Sequence, residues 1–234
     1  MSVRSSIAVT SAAVTALSSG LALAHVGVTS PGFANQTQLL TFSVGHGCEG
    51  ADTSQIEVSI PDSVSSVRAV PSLFGAVEVK KDDAGVVTSV VWTNAQPRAA
   101  DELYYQLQIR AKLPDAPFTT VLFPTKQTCK DKDGNELVTD WKATAEETAA
   151  AGDSEDGPPP APAVKVLPPR KPGWNKFTVK NKLTELSVFD DAQIVWAGDA
   201  AYSSNPATQD QIKNEDGVSE LKEIAANTEI WVKY

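Results

Sequence analysis

From residue 26 onward the chain alternates apolar and polar positions in short runs, each closed by a turn signal. The run at 38–44, Gln-Leu-Leu-Thr-Phe-Ser-Val, places apolar residues on every other position in its second half. Period-two runs of Val, Leu, Phe and Thr predict half-buried strands. Runs of the same kind cover 26–28, 55–60, 66–70, 77–80, 86–92, 104–111 and 120–123. The clusters Pro31-Gly32, Lys81 to Gly85 and Leu113 to Pro117 separate them, with the residues that tight turns require. Many short strands without a long helical period predict an antiparallel β-sandwich over residues 25–144, immunoglobulin-like or cupredoxin-like in kind.

The pattern then changes. Residues 145–172 are small, acidic and Pro-rich, with Pro158-Pro159-Pro160, Pro168-Pro169 and Pro172. Such composition buries too little apolar area to offset its ordering entropy, so an extended linker is expected. Residues 173–234 form a small α+β module in this reading. Strands are predicted around 177–179, 193–196 and 229–234, and Asn205 followed by Pro206 predicts a capped helix to about Asn214. A second short helix is predicted from Val218 to Ala225, and Trp174, Trp196 and Trp231 are read as core residues.

The segment before residue 25 has another character. Residues 1–24 carry one basic residue, Arg4, no acidic residue, a mildly apolar middle and an Ala22-Leu23-Ala24 ending. This is the pattern of a secretory signal peptide cleaved after Ala24, and its Ser and Thr content makes it a poor spanning helix. The expected product is an exported, periplasmic or extracellular protein beginning at His25. A formal charge of −9 argues against nucleic acid as a partner, and after removal of the signal nothing indicates membrane contact. Cys48 and Cys129 are the two cysteines. In an exported chain they most simply form one disulfide, worth about 4–5 kcal/mol on the chain-entropy model, the alternative being a pair of thiolate metal ligands.

Candidate chemistry concentrates in two residues, His25 and His46, the two histidines of the chain. A terminal histidine offers its α-amine and imidazole to one ion. Nitrogen donors in a tetragonal set suit Cu(II), which stands highest in the divalent affinity series. His46 lies in the glycine-rich stretch Gly45-His46-Gly47-Cys48-Glu49-Gly50. The start at His25-Val26, this stretch, Phe123-Pro124 before Cys129, and Trp141 together resemble the YcnI-like copper-binding domain family of exported bacterial proteins.

The resemblance implies a β-sandwich that holds Cu(II) through the amine and imidazole of one terminal histidine plus a glutamate, with a tryptophan nearby. Carried over, His25 is the bidentate ligand, Glu49 the carboxylate and Trp141 the neighbouring aromatic, while His46 or Asp52 can stand in place of Glu49. The expected function is non-enzymatic copper homeostasis or trafficking, with the copper ion and another copper-trafficking protein as partners. Two alternatives remain: an oxygen-activating copper enzyme if His46 is a ligand, and a structural sandwich in which both histidines are incidental. The mature chain has no methionine, since Met1 leaves with the signal, so a Met-rich Cu(I) site is excluded.

Overall fold

The computed structural model describes residues 26–152 and 157–234. The predicted signal peptide, residues 1–24, and the predicted ligand His25 lie outside the described residues. The first strands are β1 (Val26–Val28), β2 (Gly32–Phe33), β3 (Thr37–Val44), β4 (Asp52–Ser59), β5 (Ser65–Ala69) and β6 (Ala76–Lys81). They are followed by β7 (Val87–Thr93), β8 (Tyr105–Lys112), β9 (Thr119–Leu122), β10 (Thr125–Lys130) and β11 (Glu136–Trp141). Helix α1 (Ala145–Ala151) and strand β12 (Ala163–Leu167) come next. The C-terminal part holds β13 (Trp174–Val179), β14 (Ile194–Ala197), β15 (Ala200–Tyr202), α2 (Pro206–Asn214), β16 (Ser219–Glu220) and β17 (Thr228–Lys233).

Two antiparallel sheets, ordered β1-β3-β8-β5 and β11-β10-β4-β7-β6, make the sandwich. The alternation read in the sequence sets what each strand turns inward. Leu40, Phe42 and Val44 of β3 and Leu107, Ile109 and Ala111 of β8 are fully buried with Ile56, Val58, Val90 and Trp92 from the other sheet. Phe42 meets Phe123 edge-on at 5.4 Å, within the favoured range for aromatic pairs. A third sheet, β2-β12-β9, adds Val121, Val164 and Val166 to this core.

The stretch 145–172 departs from the expected linker. Its first part is α1, started by a capping box in which Thr144 and Glu147 satisfy each other's backbone N–H groups. Its later part, β12, pairs antiparallel with β9 and parallel with β2, and buries Val164 and Val166 in the sandwich core. Two apolar residues spaced by one polar residue among prolines were enough to supply a strand. β12 sits at the middle of its sheet, where its backbone groups are paired on both sides.

In the C-terminal module the order is β13-β17-β14-β15-β16. The capped helix is present as predicted: the Asn205 side chain accepts from the Ala207 and Thr208 N–H groups, with Pro206 at the first helical position. The second predicted helix, 218–225, is instead the short strand β16 followed by irregular chain, with Leu221 and Ile224 buried. Its apolar spacing satisfies one-sided burial without a helix. The tryptophans also differ from expectation: Trp174 and Trp231 are 52% and 45% exposed. In β17 the neighbours Ile230 and Val232 take the inward phase, which forces Trp231 outward. Among the described residues no helix is long and apolar enough to cross a membrane.

Candidate metal site

The chain passes from β3 to β4 through Gly45-His46-Gly47-Cys48-Glu49-Gly50-Ala51. Cys48 and Ala51 exchange two backbone hydrogen bonds, of 3.0 and 2.8 Å, around Glu49 and Gly50. Both central residues have positive φ, 50° and 83°, as a two-residue type I′ connection requires. Gly47 is confined to glycine by contact: a Cβ there would overlap the Ala51 carbonyl. The predicted disulfide is present, and Cys48–Cys129 pins this turn to β10. Glu49 is exposed at the tip, and its carboxylate has no partner among the described residues.

His46 is exposed beside it. Its Nδ1 lies 2.7 Å from the Gly47 carbonyl. A carbonyl only accepts, so Nδ1 carries the proton, and in the neutral ring Nε2 keeps a free lone pair. The His46 backbone carbonyl accepts from the Gln127 side-chain amide at 2.9 Å, and the same amide donates to Thr53 Oγ1 at 2.9 Å. Gln127 Oε1 in turn accepts from Trp141 Nε1 at 3.0 Å. One buried amide therefore links the histidine turn to the tryptophan. Fixed links of this kind orient metal ligands in characterised sites.

Asp52 does not qualify as a ligand. It is fully buried, and its carboxylate accepts from the Thr53 N–H at 2.8 Å, the Arg98 N–H at 2.7 Å and the Tyr105 hydroxyl at 2.8 and 2.9 Å. Those donors use the oxygens that a metal would need. Burial, and next the hydrogen bond to Asp52, push the Tyr105 phenol up to about 12. The Arg98 contact ties the loop after β7 to Asp52, and the Asp101 N–H of that loop donates to the Gly50 carbonyl at 3.1 Å. The turn is thus held from both sides.

Of the residues singled out in the sequence, His46 and Glu49 share one turn, and Trp141 is joined to that turn only through Gln127. Among the described residues no group of three or more His, Cys, Asp or Glu side chains is arranged to hold a metal ion, and His25 is not one of those residues. Gln127 and the Asp52–Tyr105 pair were not foreseen. A signal existed for Gln127: Thr125, Gln127 and Cys129 share one inward-facing phase, and an amide there needs partners.

The fold and site define a disulfide-pinned, mainly antiparallel β-sandwich with a histidine and a glutamate displayed on a glycine-rich turn. The family model described as "Domain of unknown function (DUF1775)" matches residues 25–166, and the chain belongs to this family, the one to which the YcnI-like resemblance pointed. A crystal structure of an uncharacterized protein from Nocardia farcinica, described as revealing an immunoglobulin-like fold, is similar at 28% identity with a TM-score of 0.49. The similarity covers 61% of this chain and 98% of that one. No curated protein matches the chain in sequence.

Proposed function

We propose that the protein is an exported Cu(II)-binding protein of copper homeostasis or trafficking, periplasmic or extracellular, with copper as its cargo and another copper-trafficking protein as recipient or donor. The observation that carries this reading is the register of β1. Val26 stands opposite Val44, so the chain enters Val26 alongside the start of the Gly45–Gly50 stretch. His25 is bonded to Val26, with Cα atoms about 3.8 Å apart. Cleavage after Ala24 frees the His25 amine, which with its imidazole supplies two nitrogen donors. The unpartnered Glu49 carboxylate supplies an anionic oxygen, and His46 Nε2 is the alternative donor. This N and O donor set fits Cu(II), whereas the oxidised cysteines and the absence of methionine from the mature chain offer nothing to Cu(I). No step in this reading requires catalysis.

The test uses the exported protein, its N-terminus established by intact mass, in competition titrations with Cu(II). One added Gly before His25 is expected to weaken binding by more than about 100-fold, the upper range for changes that only orient a ligand. Glu49→Gln is expected to weaken it more than His46→Ala. Affinity falls on acidification, because an imidazole and an α-amine with ordinary values of about 6.5 and 7.7–8.0 must be deprotonated to bind. Equal binding by the Gly-extended protein overturns the reading.

A further inference from the structure

The C-terminal sheet has one face turned to the core and one turned outward. Directly paired residues of an antiparallel ladder share a face. The pairs Trp174↔Lys233, Lys176↔Trp231 and Thr178↔Glu229 join β13 to β17, and Trp196↔Trp231 joins β17 to β14. Trp174, Trp231 and Trp196 therefore lie on one outward face, over three adjacent strands, while Val179, Val195, Ile230 and Val232 fill the other. Trp196 also lines a cleft of about 380 Å³ against α2, with Thr208, Gln211 and Glu215.

We propose that this face binds a neutral, β-1,4-linked glycan, with the three indoles stacked on successive sugar rings. The argument rests on the surface itself and not on the copper reading. A contiguous exposed apolar patch, unlike single scattered residues, marks a binding surface. Here each of the two most exposed indoles stands in register with a lysine. The Lys176 ammonium lies 5.6 Å from the Trp231 ring and that of Lys233 lies 6.0 Å from the Trp174 ring, at the outer reach of cation–π contact. An ammonium therefore lies over one side of each of these rings, and about half of each indole stays open to a ligand. Glu229, Glu215 and Gln211 add acceptors on the same side.

A pyranose ring has the matching form, an apolar C–H face rimmed by hydroxyls that both donate and accept. Charge decides against other occupants. Lys176 is paired with Glu229 at 2.7 Å, and Glu215 and Asp216 border the cleft, so the face carries carboxylates beside its lysines and no cluster of unopposed basic residues. This suits an uncharged ligand and not an anionic bilayer, which needs clustered basic residues. The three indoles run across adjacent strands of an open sheet face and are not gathered in an enclosed cavity, so the site fits an extended ribbon with exposed ring faces.

The experiment measures retention of the full mature protein on microcrystalline cellulose and on chitin, and titration with the soluble hexasaccharide of each, in the presence of a chelator. Binding to at least one is expected, weakened about tenfold or more in Trp174→Ala and in Trp231→Ala, the scale of losing one aromatic stacking partner. Trp231→Phe retains a ring and should retain most of the binding; thermal unfolding checks that each variant is folded. Binding to neither glycan overturns the proposal, as does equal binding by both alanine variants. Attachment only to phosphatidylglycerol vesicles, or Trp-dependent self-association without glycan binding, overturns it equally.

Discussion

Glu49 has a left-handed backbone at φ 50°, where glycine or asparagine is the low-energy choice. Relief of that conformation, about 1–2 kcal/mol, exceeds the entropy a glycine adds to the unfolded chain, about 0.5–1 kcal/mol. Glu49→Gly should therefore leave stability unchanged or raise it by up to about 1.5 kcal/mol, while abolishing the carboxylate's proposed part in Cu(II) binding. Urea unfolding beside a Cu(II) titration separates the two effects; a loss of stability would mean that the side chain serves the fold. Tyr105 gives a second residue-level test. Its proton is held more tightly in the folded protein, so its contribution to stability is complete below pH 10 and is lost as pH rises through about 12. Tyr202 and Tyr234 are shifted upward too, chiefly by burial, so Tyr105→Phe should reduce the alkaline fall in stability without abolishing it. At neutral pH the same change leaves Asp52 short of a donor and should cost about 1–3 kcal/mol, read from unfolding midpoints across the pH range.

Elements were legible in the sequence where alternation and burial coincide. β3, β4, β7 and β8 lie within a few residues of the runs that predict them, because their inward positions are Leu, Ile, Val, Phe and Trp. β10 was not, because Thr125, Gln127 and Thr128 are buried polar residues and break the hydropathy signal. β11 was hidden for the opposite reason: it lies at a sheet edge with no fully buried residue. The same limit hid much of the candidate site, since Gln127 is legible only as an amide out of place, and the Arg98 N–H that meets Asp52 belongs to a backbone with no signature. β12 was obscured by its prolines, and its importance can be measured. A chain ending at 144 removes Val164 and Val166, each worth about 1.5–3 kcal/mol of burial, and bares the edge of β9. That truncation should aggregate or unfold well below the temperature of the intact protein in a thermal melt.

At the scale of the whole molecule, the two parts share side chains. Phe118, from the loop before β9, belongs to the C-terminal core, with ring contacts to Phe177 at 5.7 Å and Phe189 at 5.1 Å. Arg170 lies over the Phe33 and Tyr234 rings and pairs with Asp191. Melting should accordingly be coupled, and Phe118→Ala, at about 3–5 kcal/mol, should split the calorimetric transition by lowering the C-terminal module's midpoint. A single transition shifted as one would show that the coupling survives without the ring. The Cys48–Cys129 bridge spans 81 residues and touches the residue before Glu49, which bears on biogenesis. On the copper reading, an unbridged chain would present two thiols beside the ion, and two Cu(II) would each take one electron from them, leaving a disulfide, two Cu(I) and two released protons. The metal delivered would then be in the form that this donor set does not hold. On that reading thiol oxidation precedes loading, and the Cu(II)-loaded form is one whose maturation is already complete.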